Sequence, residues 1–356
     1  MKDHKMLKHL IVNKSIKLID ALKMLDKSAL RYLLVLDEDS ILIGSLSDGD
    51  VRRAILSGAD LNNDISNHYM QDPIYLEENS FVLHDAQELM SLNSLMYLPI
   101  ADQSKKFLDI VMSSQAADKK TTFDLPKNCS AVIMAGGIGS RLEPFTSILP
   151  KPLVPVQGKP IIDHIIENFM AYGIKDFYIS VKYKARIMRA YFEEMELDRN
   201  ITFIEEDTPL GTAGGLSLLP KGAADPIFVT NCDVILSMNY QECYDFHLDG
   251  KFAMTIVAAV KKYRIPYGSC ELDADGSLLK INEKPEYQHI VNTGFYVLDP
   301  SVLDLIEKGE HLDMDKFIQL IHSKGLKVGI FPISEDSWND VGEWNEYHNT
   351  IQSLEL

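Results

Sequence analysis

The order of apolar and polar positions divides the chain into two regimes. In the first, a pattern repeats. Shifting the chain by 65 positions superposes Ser15 on Ser80, Ala21 on Ala86, Leu30 on Leu95, Tyr32-Leu33 on Tyr97-Leu98 and Asp37 on Asp102. Each copy reads as an amphipathic helix (Ile19, Leu22, Leu25, then Leu83, Ala86, Leu89, Met90). A strand follows (32–36, 97–101), then a charged turn and a second strand (41–46, 107–112). The first copy ends in a helix over 51–56, stopped by Gly58. These signals predict two α+β repeats, over 1–62 and 63–120.

In the second regime the period alternates between two and 3.6. A polar stretch at 116–128, with a proline and three lysines, separates the two. The expected connection is 121–128 and the second domain 129–356. Strands are predicted at 130–135, 177–181, 201–205, 227–230, 253–260, 293–298 and 326–331. Helices are predicted at 160–172, 184–194, 212–218, 240–247, 302–307 and 315–322. Alternation of this kind implies an α/β domain with a mixed, mostly parallel sheet. Its ligands belong outside the carboxyl ends of the strands.

Composition narrows the functional classes. The chain has 356 residues, 46% hydrophobic and 24% charged. That suits an ordinary globular protein of two or three domains. The net charge is −17, with −4 on residues 1–120 and −13 on the rest. A field of that sign disfavours nucleic-acid binding but leaves room for small anions at local basic groups. Cys129, Cys232, Cys243 and Cys270 show no C-x-x-C spacing, which argues against a zinc ribbon or disulfide framework and for a reduced, cytoplasmic setting. No apolar run reaches membrane-spanning length, residues 254–260 being the longest notable one, and no signal peptide is read. None of the ten histidines forms H-E-x-x-H, and no Ser/His/Asp order stands out, so hydrolysis has no support.

The chemistry gathers in the second domain. The strand at 131–134 runs into Ala135-Gly136-Gly137-Ile138-Gly139-Ser140-Arg141-Leu142, where glycines let backbone N–H groups approach an anion. The loop is not a Walker A motif, and Leu142 stands where a dinucleotide fingerprint needs its third glycine. That gap counts against a dinucleotide-dependent oxidoreductase. Arg141 offers a planar fork to phosphate. Prolines 150 and 152 stiffen the chain around Lys151, in Pro150-Lys151-Pro152-Leu153-Val154-Pro155-Val156, and Lys159-Pro160-Ile161-Ile162 follows.

The full string, G-G-x-G-S-R-L-x-P-x-T, P-K-P-L-x-P-V and K-P-I-I, resembles the signature of the sugar-1-phosphate nucleotidylyltransferases. The resemblance implies a Rossmann-like, GT-A-like domain that joins an NTP to a sugar-1-phosphate and releases pyrophosphate. It makes Arg141 and Lys151 catalytic. It assigns Ala135, Gly136, Gly137, Gly139, Ser140, Glu206, Gly211 and Thr212 to the nucleotide. The P-L-G-T-A-G form at 209–214 is most like guanylyltransferases, which points to GTP. Asp233, preceded by Cys232 where the family usually has glycine, pairs with Asp340 as the implied Mg²⁺ ligands. Gly268 (in Tyr267-Gly268), Glu283 and Lys284 (in Glu283-Lys284-Pro285) and Asn292 (in Asn292-Thr293-Gly294) would face the sugar phosphate. The bland readings are that Thr212 caps the helix it begins and that Asn292 is a turn residue.

The repeat pair resembles tandem CBS domains. Gly44-Ser45-Leu46-Ser47-Asp48-Gly49-Asp50-Val51-Arg52-Arg53 looks like the turn that holds an adenine nucleotide in such pairs, with Asp48, Asp50, Arg52 and Arg53 as ligand candidates. The second copy, Val111-Met112-Ser113-Ser114-Gln115, lacks this equipment. The alternative is that Asp48 and Asp50 cap the helix while the arginines are solvated. A CBS pair before this transferase resembles enzymes that make GDP-amino sugars for bacterial surface or flagellar glycans, which points to glucosamine-1-phosphate. Mannose- and heptose-1-phosphate, a non-catalytic regulatory role and a homo-oligomer also follow as expectations.

Overall fold

In a computed structural model of the chain, residues 9–27, 32–78, 86, 89–90, 95, 97–112, 125–126, 128–195, 199–220 and 226–342 are described. The chain divides into two compact units, Met1–Phe123 and Asp124–Leu356.

In the first unit, β1 (Ile11–Asn13), β2 (Tyr32–Leu36), β3 (Leu42–Ser47) and β4 (Met70–Gln71) form one sheet. A second holds β5 (Leu76–Glu77), β6 (Tyr97–Ala101) and β7 (Phe107–Met112). The main strands of the two copies sit 65 residues apart, as the repeat predicts. The copies also meet symmetrically. The Leu42 N–H donates to the Lys105 carbonyl at 2.8 Å, and the Phe107 N–H to the Ser40 carbonyl at 2.9 Å. Ser40 and Lys105 share a left-handed backbone, φ 65° and 62°. The Tyr97 hydroxyl donates to the Tyr32 carbonyl, and the two rings meet edge-on at 5.5 Å.

The first helix is α1 (Leu18–Lys27). Of the helix expected near 83–90, Ala86, Leu89 and Met90 are helical, and Leu83 lies outside the described residues. So do 113–120 and most of the expected connection. The helix α2 runs Asp48–Leu56, three residues earlier than the pattern predicted. The reason is local: Ser47 caps it, and Asp50 returns a bond to the Ser47 N–H, closing a capping box.

The second unit is built on seven strands, β8 (Ser130–Ala135), β11 (Asp176–Val181), β12 (Asn200–Glu205), β13 (Ile227–Asn231), β15 (Met254–Arg264), β18 (Glu286–Leu298) and β19 (Val328–Ser334). Their order is β12-β11-β8-β13-β18-β15-β19, and only β18 runs antiparallel to its neighbours. This is the expected α/β class with a mixed, mostly parallel sheet. The fully buried β8 alternates between two cores. Ala131, Ile133 and Ala135 face one that includes Ile161, Ile165 and Phe169, while Val132 and Met134 face one that includes Phe317 and Ile321. Those partners lie on α4 (Ile161–Met170) and α8 (Met314–Ser323), which cover opposite faces of the sheet.

The remaining helices are α3 (Phe145–Ile148), α5 (Ala185–Glu193), α6 (Gly211–Gly214) and α7 (Tyr240–Asp249). Three expectations need correction. The helix expected at 212–218 is one α turn, α6, followed by 3₁₀ turns over Gly215–Leu218. That expected at 302–307 is 3₁₀, over Pro300–Leu305. The strand expected at 293–298 begins at Glu286. Short ribbons also escaped prediction: β9 (Pro155–Val156) with β10 (Lys159–Pro160), β14 (Val234–Leu236) with β20 (Trp338–Asp340), and β16 (Ser269–Leu272) with β17 (Leu278–Asn282).

Candidate active site

Two neighbouring parallel strands, β8 and β13, end side by side, with Asn231 level with Met134. Their carboxyl ends open a cleft of about 400 Å³. The glycine loop forms one wall, with Gly136, Gly137, Gly139, Ser140 and Arg141; Ala135 is the buried strand residue beneath it. Gly139 is left-handed, φ 73°, and a Cβ there would stand 2.9 Å from the Lys151 Cβ. The loop therefore closes onto Lys151 because this position has no side chain. The Thr146 hydroxyl holds the turn by donating to the Gly139 carbonyl at 2.9 Å.

Lys151 sits in the 3₁₀ turn Lys151–Leu153, between its two prolines, and its ammonium pairs with Asp233. Burial alone would push this lysine down. The charge of Asp233 foremost, together with Cys232 and Asp340, more than offsets that and holds it above its ordinary value. Asp340 comes from β20, whose register places it opposite Val234, and the Val341 N–H donates to the Asp233 carbonyl at 2.9 Å. Gly342 marks where these groups meet. A Cβ there would lie 2.6 Å from Asp233 Oδ2, 2.8 Å from Asp340 Oδ1 and 3.3 Å from Lys151 Nζ. Two carboxylates and one ammonium thus share a single point. Cys232, in the usual glycine position of the motif, is buried, and burial pushes its thiol up to about 12, so it is an inert filler here.

Glu206 also borders the cleft. Its carboxylate accepts from the Ser180 hydroxyl and from the Leu210 N–H at 3.0 Å, clamping the loop after β12. Gly136 and Gly215 both pack against it, each leaving 3.0 Å between a notional Cβ and Oε1. Gly211 and Thr212 line the cleft, but Thr212 does not cap the helix it sits in. Its hydroxyl accepts the Met314 N–H at 2.8 Å and so caps α8. The Leu312 carbonyl takes the N–H groups of Ala213 and Gly214, and the Leu312 N–H donates to Leu210 at 2.8 Å. This weld brings His311 to the cleft, with Asp313 Oδ1 4.0 Å from its Nε2. His311, Pro209 and Asn231 line the cleft without having been predicted. No signal in the sequence marked His311, because its place depends on a pairing 100 residues distant.

Of the acceptor-side candidates, Gly268, Glu283, Lys284 and Asn292 are not among the described residues bordering this cleft. Gly268 leaves room for Glu283, whose Oε2 would lie 3.0 Å from a Cβ there. Lys284 is left-handed, φ 46°, and both Glu283 and Lys284 are exposed. Asn292 lies inside β18 rather than in a turn. Its amide donates to the Tyr296 hydroxyl at 2.9 Å and its carbonyl accepts the Gly294 N–H at 3.0 Å. Because β18 is antiparallel, its middle rather than its end meets the site, and Gly294 (φ 85°) packs against Asn231.

In the first unit, the four ligand candidates separate. Arg52 turns inward, bonding Asp48 at 2.5 Å with Asp26 at 3.8 Å, so the solvated reading fails for it. Asp50 is engaged by Ser47 and paired with the exposed Arg53. Asp50 and Arg53 border an open cleft of about 440 Å³ with Asn67, His68 and Tyr69.

The nucleotidyl transferase family model matches residues 130–355, and the CBS domain model matches residues 2–57. A mannose-1-phosphate guanyltransferase of Debaryomyces hansenii is 38% identical over 226 residues, 61% of this chain and 62% of that protein. Mannose-1-phosphate guanylyltransferase 1 of Arabidopsis thaliana is 34% identical over 227 residues, with the same coverage. The match spans about three fifths of these relatives' own length. A crystal structure described as a candidate glucose-1-phosphate thymidylyltransferase of Bacillus anthracis shares the fold of the second unit. It has a TM-score of 0.50 and 21% identity, and the match covers 63% of this chain and 94% of that one.

Proposed function

The chain belongs to the nucleotidyl transferase family, with a CBS domain at its start, and from that premise we propose that it transfers GMP from GTP to a sugar-1-phosphate, releasing pyrophosphate. The observation that carries this reading is the convergence of Lys151, Asp233 and Asp340 on the space beside Gly342, next to a glycine loop. A phosphate oxygen of the sugar-1-phosphate attacks the α-phosphorus. The new P–O bond forms as the α–β bridging P–O bond breaks, and pyrophosphate leaves with the electron pair. The nucleophile is already an anion, so no covalent enzyme intermediate is needed.

The protein's work is positioning and charge neutralisation. Backbone N–H groups around Gly137 and Gly139 cradle the triphosphate, and Arg141 stabilises the departing pyrophosphate. Lys151 offsets repulsion between the two anions at the point of attack. Lys284 holds the acceptor phosphate while Glu283 accepts from sugar hydroxyls. The donor set suits Mg²⁺: two hard carboxylates, Asp233 and Asp340, converge on one point, and the remaining shell is left for water and phosphate oxygens. Bound there, Mg²⁺ supplies charge neutralisation at the α-phosphate and leaving group.

GTP as donor rests on the 209–214 loop that borders the cleft and on the names of the relatives. Two acceptors follow from two sources. The relatives' names favour mannose-1-phosphate, whereas the CBS-transferase order favours glucosamine-1-phosphate and a place in supplying cytoplasmic precursors of bacterial surface glycans. The test is purified protein with Mg²⁺, five NTPs and a panel of sugar-1-phosphates, read by pyrophosphate release. Release confined to GTP with one sugar supports the reading. No release with any pair overturns it and favours a regulatory protein. An adenine nucleotide at the Asp50–Arg53 cleft of the first unit is tested by AMP and ATP in the same assay, where an unchanged rate and melting temperature overturn it.

A further inference from the structure

The turn after β11 lies between two loops of the cleft. In the sheet, β11 is flanked by β8 and β12, and Val181 stands level with Ala135 and Glu205. The glycine loop follows β8, and the loop 206–210 follows β12. The turn itself, Lys182-Tyr183-Lys184, sends an ammonium to each side. Lys182 donates to the Asp207 carbonyl at 2.6 Å and to the Glu206 carbonyl at 3.4 Å. Lys184 donates to the Thr146 carbonyl at 2.9 Å. The buried Thr146 in turn bonds the Gly139 carbonyl through its hydroxyl. Neither lysine is among the described residues bordering the cleft, so each acts through the backbone it holds.

Lys184 also breaks two local rules. It occupies the N-cap of α5, where Ser, Thr, Asp or Asn would bond a free N–H group, and it makes no side-chain cap. Its backbone is left-handed, φ 54° and ψ 33°, a conformation that glycine adopts freely and a Cβ opposes. What a lysine provides here is reach. Its ammonium arrives at the Thr146 carbonyl while standing 5.0 Å from the Tyr183 ring centroid. Strain held beside a cleft points to a role in that cleft.

We propose that Lys182 and Lys184 are positioning residues that brace the two loops from behind, an inference resting on the transferase reading above. Lys184 fixes the glycine loop that closes onto Lys151, so its loss acts on kcat. Lys182 fixes the loop that carries Glu206 and Pro209, so its loss acts on the KM for the NTP.

The test uses the full chain, read by hydrogen exchange without substrate and by pyrophosphate release with it. The Leu142, Glu143 and Ser147 N–H groups on one side, and those of Glu206 and Leu210 on the other, are hydrogen-bonded and report each loop. Lys184→Gly should speed exchange about tenfold over 139–147, the scale of one charged hydrogen bond, and leave 206–210 as in wild type. Lys182→Ala should do the reverse. Lys184→Gly relieves the left-handed strain, so its melting temperature should hold while kcat falls about tenfold. Lys182→Ala should raise the KM for the NTP about tenfold with kcat unchanged. Lys184→Arg keeps a cationic donor and should restore the wild-type exchange. Arg186→Ala, exposed on α5, should match wild type throughout. Wild-type exchange over 139–147 in Lys184→Gly overturns the brace. So does faster exchange spread evenly over both loops, or a wild-type kcat in Lys184→Gly. A wild-type protein that releases no pyrophosphate with any pair overturns the transferase reading instead, and the exchange pattern, which needs no substrate, then decides the brace by itself.

Discussion

The cleft and the arm proposed to hold the acceptor, formed by the β16–β17 ribbon and the ends of β15 and β18, both extend from the seven-stranded sheet, yet they obey different rules. In the cleft, each decisive side chain is pinned by something buried. Lys151 is held by Asp233 and flanking prolines, Glu206 by Ser180 and the Leu210 N–H, and Thr212 by the cap it provides to α8. On the arm, Glu283 and Lys284 stand exposed on a ladder whose apolar face is bare. Preorganised charge in a partly enclosed cleft contributes most to the transition state, whereas an exposed cation contributes to binding. The cleft should therefore govern turnover, and the arm should govern acceptor affinity.

The strongest way to break this contrast is Lys151→Ala. Turnover should fall by about 10³, the scale of losing a preorganised charged group, with melting temperature little changed. Turnover within threefold of wild type would remove Lys151 from its role. Gly139→Ala comes next. A Cβ at φ 73°, 2.9 Å from the Lys151 Cβ, displaces the ammonium, so turnover should drop by about 10². An unchanged rate would show that the loop does not set Lys151.

Lys284→Ala should raise the KM for the sugar phosphate by about tenfold, the cost of one charged hydrogen bond, with the KM for the NTP unmoved. If kcat falls instead, the contrast between cleft and arm is wrong. His311→Ala should raise the KM for the NTP by about threefold and leave the acceptor's alone. Equal shifts in both would place His311 outside the nucleotide side. Smallest in catalytic effect, Ser47→Ala should remove about 1 kcal/mol from the first unit by opening its capping box, read by urea unfolding, without touching turnover.

Periodicity made the repeat and the parallel strands legible. The 65-residue shift predicted paired strands that the backbone reproduces, including matching left-handed residues at Ser40 and Lys105. The glycine loop and the proline-flanked lysine were legible because their chemistry is local. The ribbons β14–β20 and β16–β17 were not, since strands of three to five residues bury too little to leave a period. The antiparallel course of β18 also left no trace, because direction is fixed by neighbours rather than by side-chain alternation.

The sequence by itself determined the class of fold, the repeat, and the candidates for phosphate binding, since these depend on spacing within a few turns of chain. Only the tertiary structure decided which of those residues meet. It brought Asp340 to Asp233 through a three-residue ribbon and His311 to the 209–214 loop through the Leu312 weld. It also turned Arg52 away from solvent toward Asp48 and Asp26. Each outcome rests on contacts between distant segments, whose free energy comes from burial and hydrogen bonding that no local pattern encodes.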